Sequence, residues 1–245
     1  MLYMAIIHKG KNDLTDKRKT NLILAIICII PFVVYAYAFF AHRFHFDSIF
    51  HLAIAIPVFL SKFFYNKSKS YQSGIRGEKV TLDTLSHLPD SYHVFTSLQL
   101  SIDGRLGEID AFIVGPNGLF VVETKGMNGT LEGNVDDSRW TQHKIGRKGG
   151  RYSKQINNPI KQVNREVWMI STLLKREGIS SWIQGLVHFS NPECKVNVSS
   201  PKVPIFEQEN HLYHYIINYK SKEQVDVERV VKSVEKIKSD ASDAA

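Results

Sequence analysis

The sequence predicts an α/β or α+β core behind an N-terminal transmembrane helical hairpin, and three observations predict it. Two long apolar runs lie close together near the start, helical and alternating periodicities follow one another after them, and a strong turn signal separates two apolar strands. The 245 residues leave room for one ordinary domain and something extra. Composition is that of a globular protein, which excludes wholesale disorder. A net charge of +7 favours an anionic partner, either nucleic acid or an acidic membrane face. The two cysteines, Cys28 and Cys194, form neither a disulfide framework nor a zinc-ligand spacing, so they read as structural residues in a reducing compartment.

The first apolar run, residues 21–41, carries no charged side chain. About 20 such residues cross a bilayer as a helix, and membrane helices tolerate a mid-helix proline such as Pro31. The second run, 48–64, is shorter and contains His51 and Pro57, and it spans if Lys62 snorkels to the interface. The intervening AHRFHFD is too short for a domain, so the pair reads as a hairpin; His42 and His45 within it read as solvated. Lys9, Lys11, Lys17, Arg18 and Lys19 precede the hairpin, Lys62, Lys67, Lys69 and Arg76 end or follow it, and Arg43 alone lies between. The positive-inside rule then sets both ends in the cytoplasm. Competing readings are a signal segment cleaved near Ala36-Tyr37-Ala38 and two buried helices of a soluble core. The expected order is a basic cytoplasmic N-terminus (1–20), two transmembrane helices (21–64) and a polar linker (65–73).

The periodicity then changes. Val80, Leu82, Leu85 and Leu88 mark a helix over 76–88, with Glu78 in its first turn and Pro89-Asp90 ending it. Residues 93–100 and 108–115 read as strands. Gly115-Pro116-Asn117-Gly118 is a turn, and LFVVETK (119–125) is a third strand. Asn158-Pro159 supplies a cap and a first helical residue. Ile160, Val163, Val167, Ile170 and Leu174 then form one apolar stripe, with Gln162 off it near the positive end of the helix. Residues 183–189 read as a buried strand, and Val227, Val230, Val231, Val234 and Ile237 mark a closing amphipathic helix.

Phosphodiester hydrolysis needs a divalent metal, a polarised water and stabilisation of developing charge. Asp110 and Glu123 lie in the strands flanking the tight turn, where pairing brings them together, and two carboxylates plus waters suffice for Mg²⁺. Lys125, two residues beyond Glu123, lies on the same strand face and is suited to hold the attacking water or the phosphate. The bland reading is a solvated strand end, since an isolated E-x-K occurs everywhere. His87, His93, His143 and His188 have no mutual spacing for zinc.

The segments Gly74–Glu78 (GIRGE), Gly107–Gly126 (GEIDAFIVGPNGLFVVETKG) and Asn158–Gln162 (NPIKQ) together resemble the NERD, or nuclease-related, domain of the PD-(D/E)xK, restriction-endonuclease-like superfamily. The resemblance covers residues 74–190 and leaves 191–245 as a C-terminal extension. It implies an α/β, restriction-endonuclease-like core, a mixed central sheet flanked by helices. It further implies that Glu78 is the acidic helix residue, Asp110 and Glu123 the metal carboxylates, Lys125 the lysine and Gln162 the glutamine of the later helix, with Mg²⁺ or Mn²⁺ as cofactor. Trp140 falls where such domains tend to carry a tryptophan.

One feature points to nucleic acid independently. From 139 to 165 eight basic residues, Arg139, Lys144, Arg147, Lys148, Arg151, Lys154, Lys161 and Arg165, are interrupted by no acid. Gly146, Gly149 and Gly150 suggest a mobile loop, with Trp140 and Tyr152 available for stacking. A solvated loop, or one lying on anionic lipid, is the competing reading. The expectation is a nuclease anchored in a bacterial plasma (inner) membrane, acting on nucleic acid, DNA first. The alternative is a tethered module that binds nucleic acid or a partner without turnover.

Overall fold

The computed structural model describes residues 4–42, 48–146, 149–221 and 223–243. In chain order the elements are β1 (Ile6–Lys9), α1 (Asp13–His42), α2 (Ser48–Ser86), β2 (His93–Ile102), β3 (Arg105–Gly115), β4 (Gly118–Lys125), β5 (Gly129–Glu132), β6 (Arg139–Ile145), β7 (Arg151–Asn157), α3 (Pro159–Arg176), β8 (Ile183–Phe189), β9 (Cys194–Asn197), β10 (Ile205–Phe206), α4 (Glu209–Asn218) and α5 (Val227–Asp243). They fall into two compact units, one over Asn12–Ile75 and the other formed by the chain before and after it.

In the first unit, α1 and the early part of α2 run antiparallel. Ser61 Oγ donates to the Ala25 carbonyl at 2.8 Å and Ser68 Oγ to the Arg18 carbonyl at 3.3 Å, so one index rises as the other falls. The stretch Asp13–Ala41 is long and apolar enough to cross a membrane, and only 6% of its most apolar window is buried within the protein. That low burial separates it from a soluble core helix, while its length and composition suit either a membrane span or a signal segment. Among the described residues it is the one helix that meets this test, and a hairpin of two spans is not shown. The second expected span, 48–64, forms the early part of α2. Residues 65–73, expected as a linker, are also helical within α2. Most of them are exposed while Ser68 is buried, and Lys67, Lys69 and Gln72 are good helix formers.

The second unit is built on a six-stranded mixed sheet of order β1-β2-β3-β4-β8-β10. Strands β2, β3 and β4 form an antiparallel meander, and β1, β8 and β10 join it in parallel. The pleat of β4 sorts its side chains. Leu119 and Val121 face a cluster with Val163 and Ile170 of α3 and Val230 and Val234 of α5. Phe120 and Val122 face the opposite cluster, with Leu85 of α2 and Leu212 and Ile216 of α4. Helices therefore cover both faces of a mixed sheet. Residues 191–245, read as an extension, supply part of both clusters.

Residues 139–145 and 151–157, expected within a mobile loop, are instead the paired strands β6 and β7. This hairpin belongs to a second sheet of order β7-β6-β5-β9. Alternation there was hidden because both faces of β7 are polar and exposed, so no apolar period marks it. The short strand β1, in the expected basic N-terminus, was missed for want of length.

Asn117, in the β3–β4 turn, ties the six-stranded sheet to the C-terminal part of the chain. Its amide donates to the carbonyls of Ile216, Ile217 and Tyr219 at 2.6, 3.1 and 3.2 Å, and its Oδ1 accepts from the Tyr92 hydroxyl at 2.7 Å. Asn117→Ala is expected to cost about 1–3 kcal/mol, because it leaves those carbonyls without their donor. A lowered thermal midpoint with faster hydrogen exchange in α4 is the expected result; wild-type values for both refute it.

Candidate active site

The register of β3 on β4 pairs Ala111 with Val122, and one step further sets Asp110 opposite Glu123. Asp110 Oδ2 accepts the backbone N–H of Thr124 at 2.8 Å. Glu123 is 1% exposed, on the α3 side of the sheet, and Lys125 follows on the same side. Lys125 Nζ forms an ion pair with Glu123 Oε1 and donates to Gln162 Oε1 at 2.9 Å. Gln162 lies in the first turn of α3, whose start is fixed by Asn158 Oδ1 accepting from Ile160 N at 2.8 Å. Its amide nitrogen donates to Glu123 Oε2 at 2.8 Å and to Glu166 Oε1 at 3.2 Å. Four of the sequence-expected residues, Asp110, Glu123, Lys125 and Gln162, thus meet at one end of β4.

Glu78 reaches the same place from α2. Gly77 precedes it, and a Cβ there would sit 2.7 Å from Ser190 Oγ and 2.8 Å from Gly126 Cα. Only glycine lets α2 pass this close to the end of β4. One turn on, Thr81 Oγ1 bonds His188 Nδ1 at 2.8 Å and accepts from the Thr124 hydroxyl at 3.1 Å, fastening α2 to the back of β4. Burial pulls the His188 ring down to about 4, so it stays neutral and serves packing.

The electrostatics follow from crowding acids in a dry place. Burial, then Glu123 and then Glu78, push Asp110 well above the usual carboxylate range against the opposing pull of the Thr124 N–H and Lys125. Burial lowers Lys125, but Glu123 and then Asp110 outweigh it and hold the ammonium charged.

Glu166 is the site residue the sequence reading missed. It is 5% exposed, its Oε2 has no hydrogen-bond partner, and burial followed by Glu123 pushes its carboxyl up to about 11. It is therefore a neutral acid at ordinary pH. The signal was present in the i, i+4 spacing from Gln162, which sets both on one helix face; its burial was not readable.

The basic residues divide into two groups. Arg139, Arg151 and Lys154 are exposed on the β6–β7 hairpin and Lys144 is half-buried there, while Lys161 and Arg165 are exposed on α3. Arg147 and Lys148 lie outside the described residues. A cleft of about 540 Å³ opens beside Gln162 and Glu166, with Lys161, Arg165, Leu106 and Asn157 in its wall. Trp140 corrects an expectation. It is fully buried with Nε1 donating to the Asn134 carbonyl at 2.9 Å, so it anchors the second sheet and offers no face for stacking. Tyr152 is 53% exposed.

The neutral Glu166 yields a pH prediction for the metal-free protein. Its folded value of about 11 lies above its ordinary 4.5, so the folded state holds the extra proton between those limits. Its contribution to stability is complete below pH 4.5 and is lost as pH rises towards 11. Glu166→Gln copies the neutral acid and removes that slope. In chelator, its melting temperature is expected to match or exceed wild type, with a gap that widens between about pH 6 and 9. A variant melting below wild type throughout refutes the neutral-acid assignment.

Residues 73–190 match the family model of the nuclease-related domain, NERD. A stretch of 144 residues, 58% of this chain, is 28% identical to an uncharacterized protein of Bacillus anthracis. The match spans 62% of that relative, under two thirds of its length. No solved structure matches the chain.

Proposed function

We propose that this chain, with its nuclease-related domain, is a membrane-anchored nuclease of the PD-(D/E)xK type that hydrolyses nucleic-acid phosphodiester bonds with a divalent metal, DNA first. The observation that carries the reading is the convergence of Asp110, Glu123, Lys125 and Gln162 beside a cleft with Lys161 and Arg165 in its wall. An isolated E-x-K at a solvated strand end would not bury Glu123 or recruit a glutamine from another element.

Asp110 and Glu123 would hold Mg²⁺ or Mn²⁺, and the crowding that raises Asp110 fits a pocket short of positive charge. When bound, the metal would polarise a phosphate oxygen and lower the pKa of a water. Lys125 positions that water or the scissile phosphate and offsets charge developing on it. Gln162 fixes the Lys125 ammonium by its carbonyl oxygen and Glu123 by its amide nitrogen. Glu78 adds negative charge on the α2 side, where it assists the metal or its water. Lys161, Arg165 and the basic residues of β6 and β7 supply phosphate contacts.

The membrane part of the reading takes residues 21–64 as two spans, with both ends cytoplasmic and the basic flanks available to anionic lipid. The full chain is expected to stay in the pellet when membranes are extracted with alkaline carbonate; release into the supernatant removes the anchor from the proposal.

A second reading is a tethered module that binds without turnover. Cleavage decides between the two. The full chain in detergent, given supercoiled plasmid, single-stranded DNA or RNA, is expected to cut with Mg²⁺ or Mn²⁺ and not with chelator. Lys125→Ala and Asp110→Ala are each expected to slow cutting by roughly a hundredfold or more. Equal rates in wild type and variants refute the assignment, and binding without cutting favours the second reading.

A further inference from the structure

The solvent face of α3 has a chemistry that the catalytic cluster does not use. The helix contains four basic residues, Lys161, Arg165, Lys175 and Arg176, and a single acid, Glu166, which is buried. Its exposed surface is therefore cationic without an intervening carboxylate. At 100° per residue, Lys161, Arg165 and Trp168 fall in one stripe at i, i+4 and i+7. That stripe borders the one formed by Gln162, Glu166 and Met169, which belong to the cleft wall.

Trp168 is 50% exposed, in contrast to the fully buried Trp140. A single exposed apolar side chain is ordinary, but this one is the largest side chain type and continues the helical stripe of Lys161 and Arg165 along α3. Both cations hold position through backbone carbonyls, Lys161 Nζ on Asp136 and Arg165 on Leu106, with donors left over for a ligand. Leu106 itself is 68% exposed. Cations beside an indole suit a strand that offers both phosphates and base faces. A duplex keeps its base faces stacked inside and presents phosphates and edges only, so it has no use for the indole.

We propose that the solvent face of α3 is a binding track for a single-stranded stretch of nucleic acid, on which Lys161 and Arg165 hold phosphates at the cleft and Trp168 stacks on a base further along the helix. The track rests on the nuclease reading for the identity of the polyanion and narrows its substrate to nucleic acid with an unpaired segment.

The test uses the full chain in detergent with chelator, so that binding is read without cleavage. In a Trp182→Phe background, Trp168 is the exposed indole, since Trp182 (68% exposed) is gone and Trp140 is buried. Oligo(dT) is expected to quench the emission, an equal-length duplex to leave it unchanged, and Trp168→Phe to abolish the quenching while keeping near-wild-type affinity. Trp168→Ala is expected to weaken oligo(dT) binding by roughly tenfold and to leave duplex binding as it was. The Phe variant controls for folding. Wild-type oligo(dT) affinity in Trp168→Ala, an equal loss for duplex, or no oligo(dT) binding at all overturns the track. Metal-dependent plasmid cutting without any effect of Trp168 would sink the track and leave the nuclease reading standing. Quenching through Trp168 without cutting of any substrate would do the reverse.

Discussion

A carboxylate kept away from water must be paired, and the burial of Glu123 organises the active end of this protein. Removing an unpaired charge from solvent costs several kcal/mol in a real protein, so its two oxygens need committed partners. Lys125 takes one and Gln162 the other. The lysine is supplied locally by the two-residue period of the strand. The glutamine has to come from elsewhere in the chain, which requires the first turn of α3 to lie over the end of β4. The packing of Ile160, Val163 and Ile170 against Val121 and Val187 holds α3 there. Apolar stripe and polar cluster are two consequences of one placement.

The same placement explains why the site carries more acid than base. Asp110, Glu123, Glu166 and the nearby Glu78 face a single ammonium, and burial together with this crowding pushes Asp110 well above the usual carboxylate range and Glu166 up to about 11. A structural ion-pair network evolved only for stability would gain from fewer acids, because a carboxyl buried without its hydrogen-bond partners costs stability. Surplus negative charge in a fixed, dry pocket is the condition under which a dication or a proton donor becomes useful. The back of the sheet is arranged differently. There Thr81 Oγ1 bonds Nδ1 of a neutral His188 and accepts from the Thr124 hydroxyl, which fixes the helix that carries Glu78.

Around this centre the fold spreads positive charge over two elements. The β6–β7 hairpin and α3 are adjacent in the chain but belong to a separate sheet and to the helical cover of the main sheet. Between them, beside Asn157 and Asn158, lies the cleft that reaches Gln162. A polyanion attracted by the basic surface would meet a cleft in whose wall Lys161 and Arg165 stand with Glu108 and Glu166, and the two cations offer it phosphate contacts beside the acids.

The sequence by itself determined the period-coded parts: the meander, the β3–β4 turn, the apolar stripe of α3, the closing helix and the long apolar α1. It also set Glu123 and Lys125 on one strand face, because side chains alternate in any strand. Tertiary structure decided what local period cannot encode. The exposed β6–β7 hairpin buries too little on its outer strand to show alternation, and residues 65–73 are helical although their polarity reads as linker. Trp140 is core, not a stacking face, because a second sheet closes over it. Glu166 belongs to the site only because α3 turns it inward against Glu123, a fact of packing between segments more than 40 residues apart in the chain.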